Sequence, residues 1–177
     1  MKVRILLLGM VAMAAACVPR APPPPPPQPQ PQPQPLPRPL PPPPPVSQDW
    51  RDLPLSQGNW YYSVQPGSTQ ALFGPANSEA AFIVRCDRTR RQITLSREGV
   101  TTGNTMTIRT TGTARNYPLS VQTEPLNYVY ANTSPADRFL DEIVFSRGRF
   151  SVEVPGTPRL LLPAWPEPAR VIEDCRS

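Results

Sequence analysis

The sequence predicts a mainly β domain, an antiparallel sandwich or small barrel, with a short helix near 135–142 and a C-terminal helix near 167–176. Three observations predict it. Apolar and polar residues alternate with period two through 80–86, where Phe82, Val84 and Cys86 share one side. Similar alternation recurs at 92–96, 106–110 and 150–154, and the threonines among these segments are β-branched residues that suit strands. Helix-start signals occur at two places only, Ser134-Pro135 and the proline-rich approach to residue 167.

Taken in order, residues 80–86 form the first predicted strand. Residues 87–91 are polar and make a turn, and Ile93 and Leu95 then alternate with Gln92, Thr94 and Ser96 to complete a hairpin. Met106 and Ile108 alternate with Thr107 and Arg109 in the next strand. Ser134 caps a helix with Pro135 at its first position, running to about Glu142. Ser146-Arg147-Gly148 is a turn signal, followed by a strand carrying Phe150, Val152 and Val154 that Pro155-Gly156 ends. Residues 159–162 form a short strand. In the final helix Ala169, Ile172 and Arg176 line one side, while Val171 and Cys175 are spaced i, i+4.

The organisation before this domain is different in kind. Lys2 and Arg4 are a positive start, and residues 5–16 are uncharged and mostly apolar. That run is short of the about 20 residues a helix needs to cross a bilayer, and has the length of a signal-peptide core. Ala14-Ala15-Ala16-Cys17 follows, and resembles the lipobox of bacterial lipoproteins. The resemblance implies cleavage after residue 16, a diacylglycerol on the Cys17 sulfur and acylation of its amino group. Ala14 and Ala16 also suit ordinary signal peptidase, which cuts the same bond and leaves Cys17 a free thiol.

The cysteine count bears on that choice. The chain has three cysteines, Cys17, Cys86 and Cys175. An exported chain enters an oxidising space, where thiols are expected in pairs. With Cys17 capped by lipid, Cys86 and Cys175 remain as one disulfide pair. Val18 after the cysteine, by analogy with lipoproteins of enteric bacteria, places the anchor in the outer membrane with the domain facing the periplasm.

Residues 17–46 join the anchor to the domain. Eighteen of the 29 prolines lie between 19 and 45. Proline donates no backbone hydrogen bond, so helix and sheet are both excluded there. The tract reads as a polyproline or disordered tether reaching roughly 80 Å when extended. A proline-rich docking site is the alternative use.

Residues 47–177 are a single domain's worth of chain. The formal net charge of +5 belongs mostly to Lys2, Arg4, Arg20 and Arg38. The domain itself holds 14 arginines against 13 acidic residues, which gives no support for a nucleic-acid partner. Histidine is absent, so no Ser-His-Asp or Cys-His mechanism and no histidine zinc site is available within this chain. The one lysine, Lys2, falls in the signal, which excludes lysine nucleophiles from the domain. No phosphate-binding glycine loop, cofactor motif or metal-ligand spacing occurs. Carboxylate chemistry survives, but none of Glu98, Glu124, Asp137, Asp141, Glu142 and Glu153 is marked as a pair.

Two clusters are candidate binding residues. Arg85, Arg88, Arg90 and Arg91 surround the first hairpin turn and suit carboxylates of peptidoglycan or phosphates of lipopolysaccharide. Trp50 and Trp60, with Tyr61 and Tyr62, suit a sugar or a partner's loop, or close the end of a β core. Asp49-Trp50-Arg51-Asp52, Gly58-Asn59-Trp60, Val84-Arg85-Cys86-Asp87 and Glu173-Asp174-Cys175-Arg176 resemble a group of β-rich envelope proteins of Gram-negative bacteria with no assigned activity. That resemblance implies a β fold and a disulfide, and implies no catalysis.

The expectation is a non-enzymatic envelope lipoprotein, membrane-attached through its lipid, with peptidoglycan or an envelope protein as partner. One alternative is an inhibitor of a lysozyme or protease that inserts a loop from residues 111–129. Another is a carboxylate-based cell-wall glycosidase. Replacing Cys17 by serine is expected to move the protein from the membrane to the soluble envelope fraction; a Cys17→Ser protein that still sediments with membranes refutes the anchor.

Overall fold

The computed structural model describes residues 49–177, so the signal segment, Cys17 and the tether lie outside the described residues. In chain order the strands are β1 (Asn59–Gln65), β2 (Ser68–Gly74), β3 (Phe82–Asp87), β4 (Gln92–Glu98), β5 (Thr105–Arg109), β6 (Ala114–Pro118), β7 (Ser120–Gln122) and β8 (Tyr128–Thr133). Helix α1 (Phe139–Val144) comes next, then β9 (Arg149–Glu153), β10 (Leu160–Pro163) and helix α2 (Pro166–Arg176). The fold is mainly β, as the alternation predicts. The strands form two antiparallel sheets, a larger one ordered β1-β2-β3-β4-β8-β7 and a smaller one ordered β10-β9-β5-β6. Both sheets are open, so the sandwich alternative holds and the closed barrel does not.

Turn chemistry sets the first registers. Pro66-Gly67 joins β1 to β2, with Gln65 opposite Ser68 and Gly67 at φ +73, a conformation glycine adopts without a Cβ penalty. The predicted polar break after β3 is a four-residue turn with Asp87 opposite Gln92. The Asp87 carboxylate accepts the Arg90 backbone N–H at 2.9 Å, and Arg91 takes up the left-handed conformation at φ 48.

Period two then divides the larger sheet. Ala71 and Phe73 on β2, Phe82, Val84 and Cys86 on β3, and Ile93 and Leu95 on β4 all point to one buried face. Two different covers close it. At one end Trp60 packs edge-on to Phe73 at 5.3 Å, and Phe150 of the smaller sheet lies 6.5 Å from Trp60 and 6.4 Å from Phe82. The Trp60 indole N–H donates to the Pro163 carbonyl at 2.9 Å, which satisfies the one polar group the ring brings into the core. At the other end α2 lays Val171, Ile172 and Cys175 on the sheet. Cys175 and Cys86 are at bonding distance, with their Cα atoms 5.5 Å apart. The Tyr62 hydroxyl donates to Asp174 at 2.6 Å and the Arg170 guanidinium stacks 4.1 Å over the Tyr62 ring, so α2 is also held along its length.

Arg97 is the one arginine buried on the inner face. Its guanidinium donates to the carbonyls of Ala81 and Glu98, and to that of Pro158 in the β9–β10 connection, which couples the two sheets. Burial lowers its pKa from the usual arginine value. The edge strand β10 is covered by the chain that precedes β1. Ser56 donates its N–H to the Leu161 carbonyl at 2.9 Å, and the Ser56 hydroxyl accepts the Leu161 N–H at 3.0 Å.

The short helix expected near 135–142 is present and occupies Phe139–Val144. The Ser134 carbonyl accepts the Asp137 N–H at 3.0 Å, closing a turn, and the Asp137 carboxylate accepts the Phe139 N–H at 3.0 Å, so helical bonding begins later. Residues 111–129 are part strand and part loop, with 123–127 an exposed connection. They contain β6, paired with β5, and β7, paired with β8.

The Cys86–Cys175 bond closes a loop of 89 residues. Replacing both cysteines by serine is expected to lower unfolding stability by roughly 2–4 kcal/mol. Urea midpoints of the oxidised parent and the double variant check this.

Candidate functional site

The open face of the larger sheet carries the other half of each period-two strand. Its residues fall into rows because the strands are in register. Tyr61 lies opposite Leu72, Leu72 opposite Ile83, Ile83 opposite Ser96, and Ser96 opposite Tyr130. The next row runs Ser63, Gln70, Arg85, Thr94, Asn132. Two residues separate the rows along each strand, about 6.6 Å. One row is therefore apolar over β1 to β3, and its neighbour is polar throughout and carries a cation at its centre.

Loops turn these rows into a groove. The segment 75–80 between β2 and β3, together with Leu126, bounds a recess of about 470 Å³ floored by Tyr61, Leu72 and Ile83. Tyr128 lines the recess, held there by a hydrogen bond from its hydroxyl to the Ala80 carbonyl at 2.7 Å. From Ile83 and Tyr128 a polar trough of about 570 Å³ continues past Gln70, Arg85, Thr94 and Tyr130 to Arg90 and Gln92. Ile83 and Tyr128 line both parts, so the two adjoin. Both volumes lie within the roughly 300–1,000 Å³ typical of small-ligand sites.

The groove is electrically asymmetric. Arg85 is exposed and, among the described residues, forms no salt bridge. Arg90 meets Asp87 only across 3.8 Å with its own side chain largely in solvent, a contact of little worth. At the other end Glu79 lines the apolar recess, and Glu79 and Glu98 both line a smaller hollow beside Tyr128. Burial raises the Tyr128 pKa, and the charges of Glu79 and Glu98 raise it further. Inside the trough the Thr94 hydroxyl donates to Asn132 Oδ1 at 2.8 Å, which fixes that amide.

The two predicted clusters separate in space. Arg85 and Arg90 line the trough. Arg88 is exposed on the turn, its backbone N–H donating to the Gly67 carbonyl at 3.0 Å. Arg91 instead donates to the Arg176 carbonyl at 3.3 Å, at the end of α2. Trp60 is a core residue with no exposed ring face to offer a sugar. Trp50 is half-buried in the turn before β1 and lines neither part of the groove. Cys86 and Cys175 are both buried and joined to each other.

Leu72, Ile83, Tyr128 and Tyr130 escape the sequence reading. One signal for them was available. Phe82-Ile83-Val84 is an unbroken apolar run inside an otherwise alternating strand, so one of the three must face the open side. Asp137 is named there only as one carboxylate among several, and its place in the fold is not visible. Its carboxylate accepts hydrogen bonds from the Tyr117 hydroxyl at 3.1 Å, the Thr133 hydroxyl at 2.9 Å and the Phe139 N–H, and it pairs with Arg115. These partners join β6, β8 and α1, so the residue is an organising joint between elements.

Comparison of the chain with protein-family models, with curated proteins and with solved structures finds no significant match.

Burial acts to raise the Asp137 pKa, but the hydrogen bonds from Phe139, Thr133, Arg115 and Tyr117 outweigh it and hold the pKa below the ordinary 3.8. A depressed folded value means stability that is fully present above the unfolded pKa and lost as pH falls through the folded one. Asp137→Asn is expected to cost about 1–3 kcal/mol at neutral pH. The deficit should shrink as pH drops below about 4. Urea titrations of both proteins at pH 7 and pH 3 measure it.

Proposed function

We propose that the chain is a non-enzymatic envelope lipoprotein, held by Cys17 at the periplasmic side of the outer membrane, whose domain binds a ligand in the groove on the open face of the larger sheet. The observation that carries the binding half is the uncovered apolar row of Tyr61, Leu72 and Ile83 beside Arg85. An apolar row left open on a sheet whose other face holds the core is costly to solvate, and such patches mark interaction sites. The anchoring half rests on the lipobox-like Ala14-Ala15-Ala16-Cys17 and on Cys86 and Cys175 being joined to each other. The tether then serves as a spacer between membrane and domain.

The alternatives have less support. An inhibitor would insert a protruding loop, and in the segment expected to do so β6 and β7 leave a five-residue exposed loop at 123–127. A glycosidase needs one carboxyl kept protonated by an apolar setting. Glu79 and Glu98, the two glutamates that line one hollow, are both exposed.

The test is a photo-crosslinking residue placed at Ser96 in the groove, or at Thr107 on the smaller sheet, in growing cells. The expected result is an adduct of defined mass from position 96 that Arg85→Gln reduces several-fold, and none from 107. Equal labelling from both positions, or none from 96, overturns the binding role.

A further inference from the structure

The groove joins two chemistries at a fixed spacing. Its recess offers Tyr61, Leu72, Ile83 and Leu126, and its trough offers Arg85 one row away, about 6.6 Å along β3 from Ile83. We infer that its ligand is a small amphipathic anion, an apolar chain or ring carrying one carboxylate or phosphate. This deepens the binding role proposed above and rests on it.

Four features lead there. The recess has the volume of a small-ligand site and is lined mainly by apolar side chains, so it rewards an apolar group removed from water. Arg85 presents a guanidinium with no salt bridge among the described residues, and that planar fork matches a carboxylate or phosphate. Charge then sets the direction of binding. Glu79 and Glu98 repel an anion from the recess end, whereas Arg85 and Arg90 attract it at the trough end. Asp87 neighbours the trough, and its carboxylate accepts the Arg90 backbone N–H at 2.9 Å, so the attraction rests on Arg85.

The surface is also poorly suited to other occupants. A peptide adding to a sheet pairs with an open strand edge, whereas this groove lies across strand faces, and of its strands β2, β3, β4 and β8 are paired on both sides. A neutral sugar would use the tyrosines and amides but leave the arginine unmatched.

The decisive experiment uses the full chain carrying Cys17→Ser, prepared without detergent. Decanoate, decanol and acetate are titrated separately while the methyl resonances of Ile83, Leu72 and Leu126 are followed. Decanoate is expected to shift all three and to bind about tenfold more tightly than decanol, with acetate showing no saturable binding. Arg85→Gln should bring decanoate down to the affinity of decanol. Leu126→Glu, on an exposed loop where folding is not at stake, should weaken decanoate by at least as much. Equal affinity for decanoate and decanol, or an unchanged affinity in Arg85→Gln, overturns the inference. So does binding of N-acetylglucosamine oligomers in the absence of decanoate binding. If decanoate fails while position 96 still gives its specific adduct in cells, the amphiphile is wrong and the groove stands. If both fail, the binding role falls with it.

Discussion

The bond between Cys86 and Cys175 joins the middle of the larger sheet to the last turn of α2. Much of the remaining architecture depends on that attachment. The smaller sheet covers only the Trp60 end of the inner face, through Phe150. Without α2 the face around Ala71, Val84 and Ile93 would meet water. An eleven-residue helix is marginal on its own, since helix nucleation is unfavourable and short helices are held mainly by tertiary contact. The covalent link, the Tyr62–Asp174 hydrogen bond and the stacking of Arg170 on Tyr62 supply that contact from one end of α2 to the other. Arg176 extends it to the α1 region by donating to the Pro135 carbonyl and pairing with Asp141.

Closing one face decides what the other can do. Because side chains alternate, each strand that sends Phe82, Val84 and Cys86 inward must send Ile83 and Arg85 outward. Register then aligns Ile83 with Leu72 and Arg85 with Gln70 and Thr94, so single outward residues become continuous rows. The ladder between β2, β3 and β4 holds these rows rigidly. The loop at 75–80 and Leu126 only have to wall one end to make a recess. Placing site residues on strands, with loops as walls, gives the groove a spacing that loop motion alone would not maintain.

Legibility followed the range of the interactions involved. The β3–β4 hairpin, β5, β9, β10 and α2 could be read because their signals are local: alternation, turn residues and a proline-led helix start. β1, β2, β6, β7 and β8 carried weaker signals. Val121 is more than half exposed, and β6 buries Tyr117 alone, so edge strands lack the apolar alternation that announces a strand. The start of α1 lies later than Ser134 because the Ser134 hydroxyl accepts the Ala136 N–H and closes a separate turn, whereas the Asp137 carboxylate accepts the N–H of Phe139 at the helix start. Within the groove, Arg85 and Arg90 were visible as part of a charge cluster. Their separation from Arg88 and Arg91 was not, since neighbours around a turn point in different directions.

The sequence by itself determined which residues alternate, where the chain turns and which chemistries the domain lacks, since these are properties of composition and of spacing within a few residues. It also motivated the proposal of an anchored, exported chain, through Cys17 and the residues around it, to which the structure adds only the joined Cys86 and Cys175. Only the tertiary structure decided that Trp60 is core, that Asp137 joins three elements, and that Leu72, Ile83, Tyr128 and Arg85 share one groove. Those outcomes depend on β8 pairing with β4 across the 29 residues from 99 to 127, and on which face the second sheet and α2 cover. Local pattern assigns a residue to one side of its strand, but only the packing of distant segments determines which side is left open to bind.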